Sequence, residues 1–153
     1  MKNFLLTTCL VIATTFTSLA QFTEVEARGI IDTLFEGFHS GDTLLMKSVL
    51  APSAVMQTVQ NDKNGTPIIS EGPAQNLVDA VQKRPADQQW EEKLLGYTVQ
   101  LDDNLAHVWT PYEFWVNGFF SHCGANSFTL AKFKDGWKIV HIIDSRRQGD
   151  CTN

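Results

Sequence analysis

The segment KDGWKIVHIIDSRR, residues 134–147, gathers many of the side chains in this chain that can do chemistry. His141 stands inside an apolar run that ends in Asp144, Ser145, Arg146 and Arg147. A neutral imidazole donates through one ring nitrogen and accepts through the other, and its charge changes near physiological pH. In an enclosed site His141 would therefore hold a ligand hydroxyl or carbonyl, or move a proton. The plainer reading is a packed core histidine with one hydrogen bond. Tyr112 offers a phenol whose ring packs while its hydroxyl bonds, and His107 and Trp109 share a face of the segment before it. Arg146 carries a planar fork that suits a carboxylate or phosphate. Its plainer reading is a solvated strand end paired with Asp144.

Metal and nucleophile chemistry have weaker support. His122, Cys123, His141 and Cys151 lack the close paired spacing of a zinc site, so no metal is assigned, and no cofactor motif is present. Cys123 beside His122 is a poor nucleophile–base pair, because neighbours in an extended segment face opposite ways.

The chain has 153 residues and a formal charge of −5. A mildly acidic protein is a poor nucleic-acid binder, and Arg146-Arg147 alone is too small a basic patch. Residues 1–20, MKNFLLTTCLVIATTFTSLA, read as a signal peptide: Lys2, then a short apolar run, then small residues around a cleavage site after Ala20. The expected product is one domain, residues 21–153, exported to the periplasm or the medium. Nothing beyond the leader is long and apolar enough to span a membrane. Export favours pairing of the two remaining cysteines, Cys123 and Cys151.

These groups must be positioned by the following elements. Thr23 and Glu26 have capping-box spacing, and Ala27, Ile30, Ile31, Leu34 and Phe38 make one helical stripe that ends at Gly41. Asp42 caps a short second helix stopped by Pro52. Residues 54–60 and 66–70 form a strand pair about Asn64-Gly65, with Pro67 marking an edge. Gly72-Pro73 opens a third helix closed by Arg84-Pro85. Residues 90–101 read as one long strand, and residues 105–120 as a second, bulged at Pro111. Residues 125–134 and 137–146 make a last hairpin about Asp135-Gly136. This order is α+β.

The element order, with DGWKIVHI as the final strand, resembles the nuclear transport factor 2-like superfamily. The tail SHCGANSFTLAKFKDGWKIVHIIDSRRQGDC resembles exported bacterial members grouped with polyketide-cyclase-like (SnoaL-like) and lumazine-binding domains. The resemblance implies a cone: a curved antiparallel sheet with three helices on its concave side and a cavity open at one end. It also implies a common dimer interface on the convex face. It does not imply one activity, because the scaffold hosts isomerases, dehydratases, cyclases and binding modules.

With Asp135-Gly136 as a two-residue turn, Leu130 pairs with His141 and Phe128 with Ile143. Trp137, Ile139, His141 and Ile143 then look inward with Phe128 and Leu130, and Asp144 looks outward. Lining is expected from His141, Trp109, His107, Phe128 and Trp137, with Arg146 at the mouth; past the bulge at Pro111 either Tyr112 with Phe114 or Glu113 with Trp115 looks inward, and Tyr112 is favoured because a buried phenol can bond a ligand while its ring packs. The outer residues Val140, Ile142, Thr129 and Ala131 are too apolar for a solvated sheet and suggest a homodimer. The same register brings Cys123 and Cys151 to the open end of the hairpin, close enough to bridge. The expected function is binding of a small organic ligand. The alternatives are an isomerase, dehydratase or cyclase using His141 and Tyr112 for acid–base chemistry, and a dimeric interaction or scaffold domain without ligand.

Overall fold

A computed structural model describes residues 21–149 and 151; the expected leader, residues 1–20, lies outside the described residues. Helix α1 spans Glu24–Ser40. Its first turn is closed by the Thr23–Glu26 capping box, and Gly41 ends it in the left-handed conformation. Helix α2, Thr43–Val49, is capped by Asp42, whose carboxylate accepts from the Leu44 and Leu45 amides. Helix α3 is Gln75–Gln82. Pro73 does not open it: Pro73 is the last residue of β2 and pairs with Val55.

Seven strands form one sheet: β1 Leu50–Asn61, β2 Pro67–Pro73, β3 Trp90–Leu94, β4 Thr98–Asp102, β5 Leu105–Val116, β6 Phe119–Phe133 and β7 Gly136–Arg147. Their order is β2-β1-β7-β6-β5-β3, with β4 also on β5. The sheet is mixed rather than wholly antiparallel, because β1 runs parallel to β7. The helices cover one face. Ala27, Ile31, Leu34, Phe35 and Phe38 of α1, Met46 of α2 and Val78 of α3 share one core with Val108, Phe128, Leu130, Ile139 and Ile142 of the sheet. The fold is the expected α+β cone with three helices.

Three details of pairing differ from the expectation. Residues 90–101 are two strands, not one. Leu94 pairs with Tyr112 and Thr98 with Trp109, so Leu95, Gly96 and Tyr97 stand opposite only Thr110 and Pro111. Pro111 has no amide hydrogen to give on that side, and its carbonyl takes the Leu95 amide at 2.8 Å. The bulge that proline demands is thus carried by the neighbouring strand. The β5–β6 ladder runs through Pro111↔Ala125 unbroken and shifts only at Phe114/Trp115.

The last hairpin turns on Lys134-Asp135, one residue earlier than expected. Gly136, at φ 115°, closes the turn by pairing with Phe133. A second irregularity follows: Leu130 pairs with Ile139 but Thr129 with His141, so Val140 is skipped. Because side chains alternate along a strand, one extra residue reverses the facing of everything after it. Ile142 and Asp144 therefore point under the helices, whereas His141 and Ile143 point away. Among the described residues no helix is long and apolar enough to cross a membrane.

Candidate functional site

Between the helices and the sheet lies a cavity of about 470 Å³, within the usual range for small-ligand pockets. Leu34, Phe35 and Phe38 of α1 and Leu77 and Ala80 of α3 form one side. Trp90, Phe114, Phe128, Met56 and Ile142 continue the apolar lining from the sheet. The polar lining groups are Gln88, Glu92, Tyr112, His122, Asn126, Asp144 and Arg146.

Strand register explains how residues so far apart in sequence converge. One inward row runs Thr58–Asp144–Asn126–Thr110 across β1, β7, β6 and β5. The next is Arg146–Gly124–Tyr112, and a further row sets His122 beside Phe114 and Glu92. Gly124 is required here. A Cβ at this position would lie 1.7 Å from the Ser145 carbonyl oxygen and 2.9 Å from Tyr112 Cε1, so only glycine lets the tyrosine ring cross.

Asp144 is 2% exposed, and its carboxylate is fully engaged. Thr58 Oγ1 donates to Oδ1 at 2.5 Å, Arg146 Nε donates to Oδ2 at 2.7 Å, and the Tyr112 hydroxyl donates to Oδ2 at 3.3 Å. The same hydroxyl also reaches the Ser145 carbonyl at 3.1 Å. Such multiple donation is what permits a buried carboxylate. Burial works against the Arg146 charge, but the bond and the charge of Asp144 outweigh it and hold the guanidinium above its ordinary value. Burial, with the charges of Asp144 and Glu92, raises the Tyr112 phenol, which stays protonated.

Glu92 faces this group from β3. Its Oε1 accepts from Asn126 Nδ2 at 2.7 Å. Burial pushes its carboxyl up, the Asn126 bond opposes this, Asp144 adds to the rise and Arg146 pulls back, leaving the group at about 7. His122 is held below its ordinary value by burial and by Arg146, against Asp144. Glu92 is thus divided between its acid and its carboxylate near neutral pH, with the His122 imidazole two strands away beyond Phe114. A group poised in this way can give or take a proton.

Of the residues expected to line the cavity, Tyr112, Phe128 and Arg146 do. His141 does not. It faces outward and its Nε2 meets Gln57 Oε1 at 3.1 Å. His107 bonds Ser127 Oγ at 2.8 Å on the same outer face, and Trp109 beside it is 43% exposed. Trp137 lies on the helix side but stacks on Phe22, ring centroids 4.0 Å apart, away from the cavity. The outward placement of Asp144 is overturned by the skipped Val140. Glu92 and Asn126 were not singled out in the sequence, and His122 was weighed only as a zinc ligand or as a base for Cys123, not as a lining residue. The alternation in WEEKL marks Glu92 as sharing a face with Trp90 and Leu94, which was the available signal. Cys123 and Cys151 are joined as a disulfide that ties the C-terminal segment to β6. Among the described residues no cluster of His, Cys, Asp and Glu is arranged to hold a metal ion.

This curved sheet with a helix-covered cavity defines the class: the protein is an α+β cone with the fold of nuclear transport factor 2-like proteins. Residues 22–142 match the family described as "Putative lumazine-binding", and the chain belongs to that family. Family membership marks a small-molecule-binding fold. A nuclear transport factor 2-like protein from Salmonella enterica serovar Typhimurium is 19% identical, with 82% of this chain and 91% of that one covered, at a TM-score of 0.61. A protein from Streptomyces avermitilis described as a "putative dehydratase" is 14% identical over 80% of this chain and 94% of its own, at 0.60. A nuclear transport factor 2-like protein of unknown function from Shewanella baltica is 15% identical, with 84% and 100% covered, at 0.58. At these identities the likeness is one of fold. No curated protein matches the chain.

Proposed function

We propose that this is an exported domain that binds a small organic molecule in the cone cavity. The observation that carries the reading is the division of the cavity wall. An aromatic and aliphatic lining meets a polar side that includes Glu92, Tyr112, Asn126, Asp144 and Arg146. A ligand with an apolar ring or chain and one polar end would satisfy both parts. Export is supported by the leader-like residues 1–20 and by the Cys123–Cys151 disulfide. The protein acts as a homodimer through the outer sheet face, where Trp109 and Val55 are exposed.

Trp90 in the lining gives the test a direct reporter. Titration with a panel of one- and two-ring compounds, lumazine among them, should quench its fluorescence in a saturable way. The response should disappear in Trp90→Phe, and an Ala80→Trp variant that fills the cavity should not bind. If the whole panel leaves both fluorescence and melting temperature unchanged, the binding reading fails.

One observation favours a second reading, an enzyme of the isomerase, dehydratase or cyclase kind. Glu92, at about 7, faces an ordered Asp144–Arg146 pair across the cavity. In that reading the acid–base role belongs to Glu92 with His122 rather than to His141, which lies outside.

A further inference from the structure

We infer that the ligand of this cavity is a small organic acid, its carboxylate held by the outer edge of Arg146 and its apolar body lodged against the aromatic wall. The inference rests on the small-ligand reading above and adds the chemical class. Asp144 is 2% exposed and already holds three donors: Thr58 on Oδ1, and Arg146 and Tyr112 on Oδ2. An ammonium group would find this carboxylate already neutralised. Arg146 spends only Nε on Asp144, and its two Nη groups make no hydrogen bond among the described residues. The arginine is therefore aimed by a buried partner while its terminal donors remain open. Two adjacent Nη donors match the two oxygens of a carboxylate. Asp144 is then a positioning residue, and Arg146 the binding one.

Glu92 gives this site a second property. Its Oε1 takes the Asn126 amide, and among the described residues no bond occupies Oε2. As a carboxylate it would repel a bound acid; protonated, it would add a donor. The groups facing it are His39 from α1, Tyr112 from β5, His122 from β6, and Asp144 and Arg146 from β7. His39 is turned to the backbone, its Nε2 taking the Glu92 amide at 2.9 Å. Burial holds both histidines below their ordinary value, so neither offsets a second negative charge near neutral pH. Tyr112 keeps its proton. An incoming acid is therefore accommodated when Glu92 takes up a proton, and binding and protonation are linked.

The test compares 2-naphthoate with 2-naphthamide and 2-naphthylmethylamine, three probes of one shape and different charge, by calorimetry on the disulfide-bonded protein. At pH 6 the acid should bind at least about tenfold more tightly than the amide, the minimum expected of a charge-assisted pair. Its affinity should fall about tenfold from pH 6 to pH 8, the ratio for one group at about 7 that must hold its proton. Glu92→Gln should bind the acid with a flat pH profile, and Arg146→Gln should bind acid and amide alike. Equal affinity of the wild type for acid and amide, or tighter binding of the amine, overturns the acid class and leaves the cavity reading standing. No binding of any of the three overturns both. The wild-type comparison decides the class even if a variant does not fold.

Discussion

Arg146 and Asp144 are two residues apart on β7, both inward, and joined by a bond of 2.7 Å from Nε to Oδ2. The pair is asymmetric, since the Asp144 side chain is 3% exposed and that of Arg146 40%. Removing the buried member should cost more. Asp144→Ala strands the Thr58 hydroxyl, leaves Tyr112 only the Ser145 carbonyl and frees the arginine, and should destabilise the fold by about 3 kcal/mol. Arg146→Ala leaves the carboxylate with its two hydroxyl donors and should cost clearly less. Denaturant unfolding of the two variants checks the order; equal losses would mean that Asp144 is not the anchor.

Glu92 makes stability fall as pH rises. Its folded value of about 7 lies above the ordinary value of 4.5. The folded state therefore holds the proton more tightly between those values, and stability is lost as pH rises through them. Above pH 7 the full penalty is present, about 3 kcal/mol by linkage. His39 and His122, held low by burial, act in the opposite sense: their contribution is present above pH 6.5 and lost on acidification. Comparing Glu92→Gln with wild type cancels the histidines. The variant should melt higher at pH 8 and lose that advantage toward pH 5. A constant difference across this range would mean that Glu92 titrates normally.

Gly124 permits the crossing of Tyr112 over β6. Gly124→Ala should destabilise by about 3 kcal/mol or more, because the new methyl meets backbone at the Ser145 carbonyl. Gly29→Ala is the control. No atom lies within 4 Å of its Cβ position in α1, so it should stabilise by about 0.5–1 kcal/mol through helix propensity. Similar melting temperatures for the two variants would contradict the packing described around Tyr112.

Most of the architecture was legible in short-range signals. The Thr23–Glu26 box, the α1 stripe and the Asp42 cap are local chemistry, and each appears where its residues require. The inward placement of Phe128 and Leu130 also follows from alternation. What the sequence did not disclose was register. The turn on Lys134-Asp135 and the skipped Val140 depend on how β7 fits between β6 and a parallel β1, a contact distant in sequence. One irregular residue exchanges His141 for Asp144 in the cavity and changes its chemistry from an imidazole to an ion pair. Pro111 shows the same limit: its need for a bulge is local, but the strand that supplies it is not.

The same reversal moves the dimer test. Ile142, expected outside, is 2% exposed beneath the helices, so a charge there would damage the core. The outer face instead presents Val55 on β1, Ile143 on β7 and, one strand further on, Trp109 on β5. Trp109→Glu should yield a folded monomer by light scattering from a dimeric wild type. A wild type that is monomeric at high concentration removes the interface.

Methyl NMR with 2-naphthoate is the most direct test of the central claim that the cavity is where this protein binds. Ile142 and Ile143 are adjacent on β7 and face opposite ways, and only Ile142 lines the cavity. Saturable shifts at Ile142, Leu34, Leu77 and Met56, with Ile143, Val55 and Val59 unmoved, are the predicted result. Shifts confined to Ile143, Val55 and Val59 would place binding on the outer face and contradict the account.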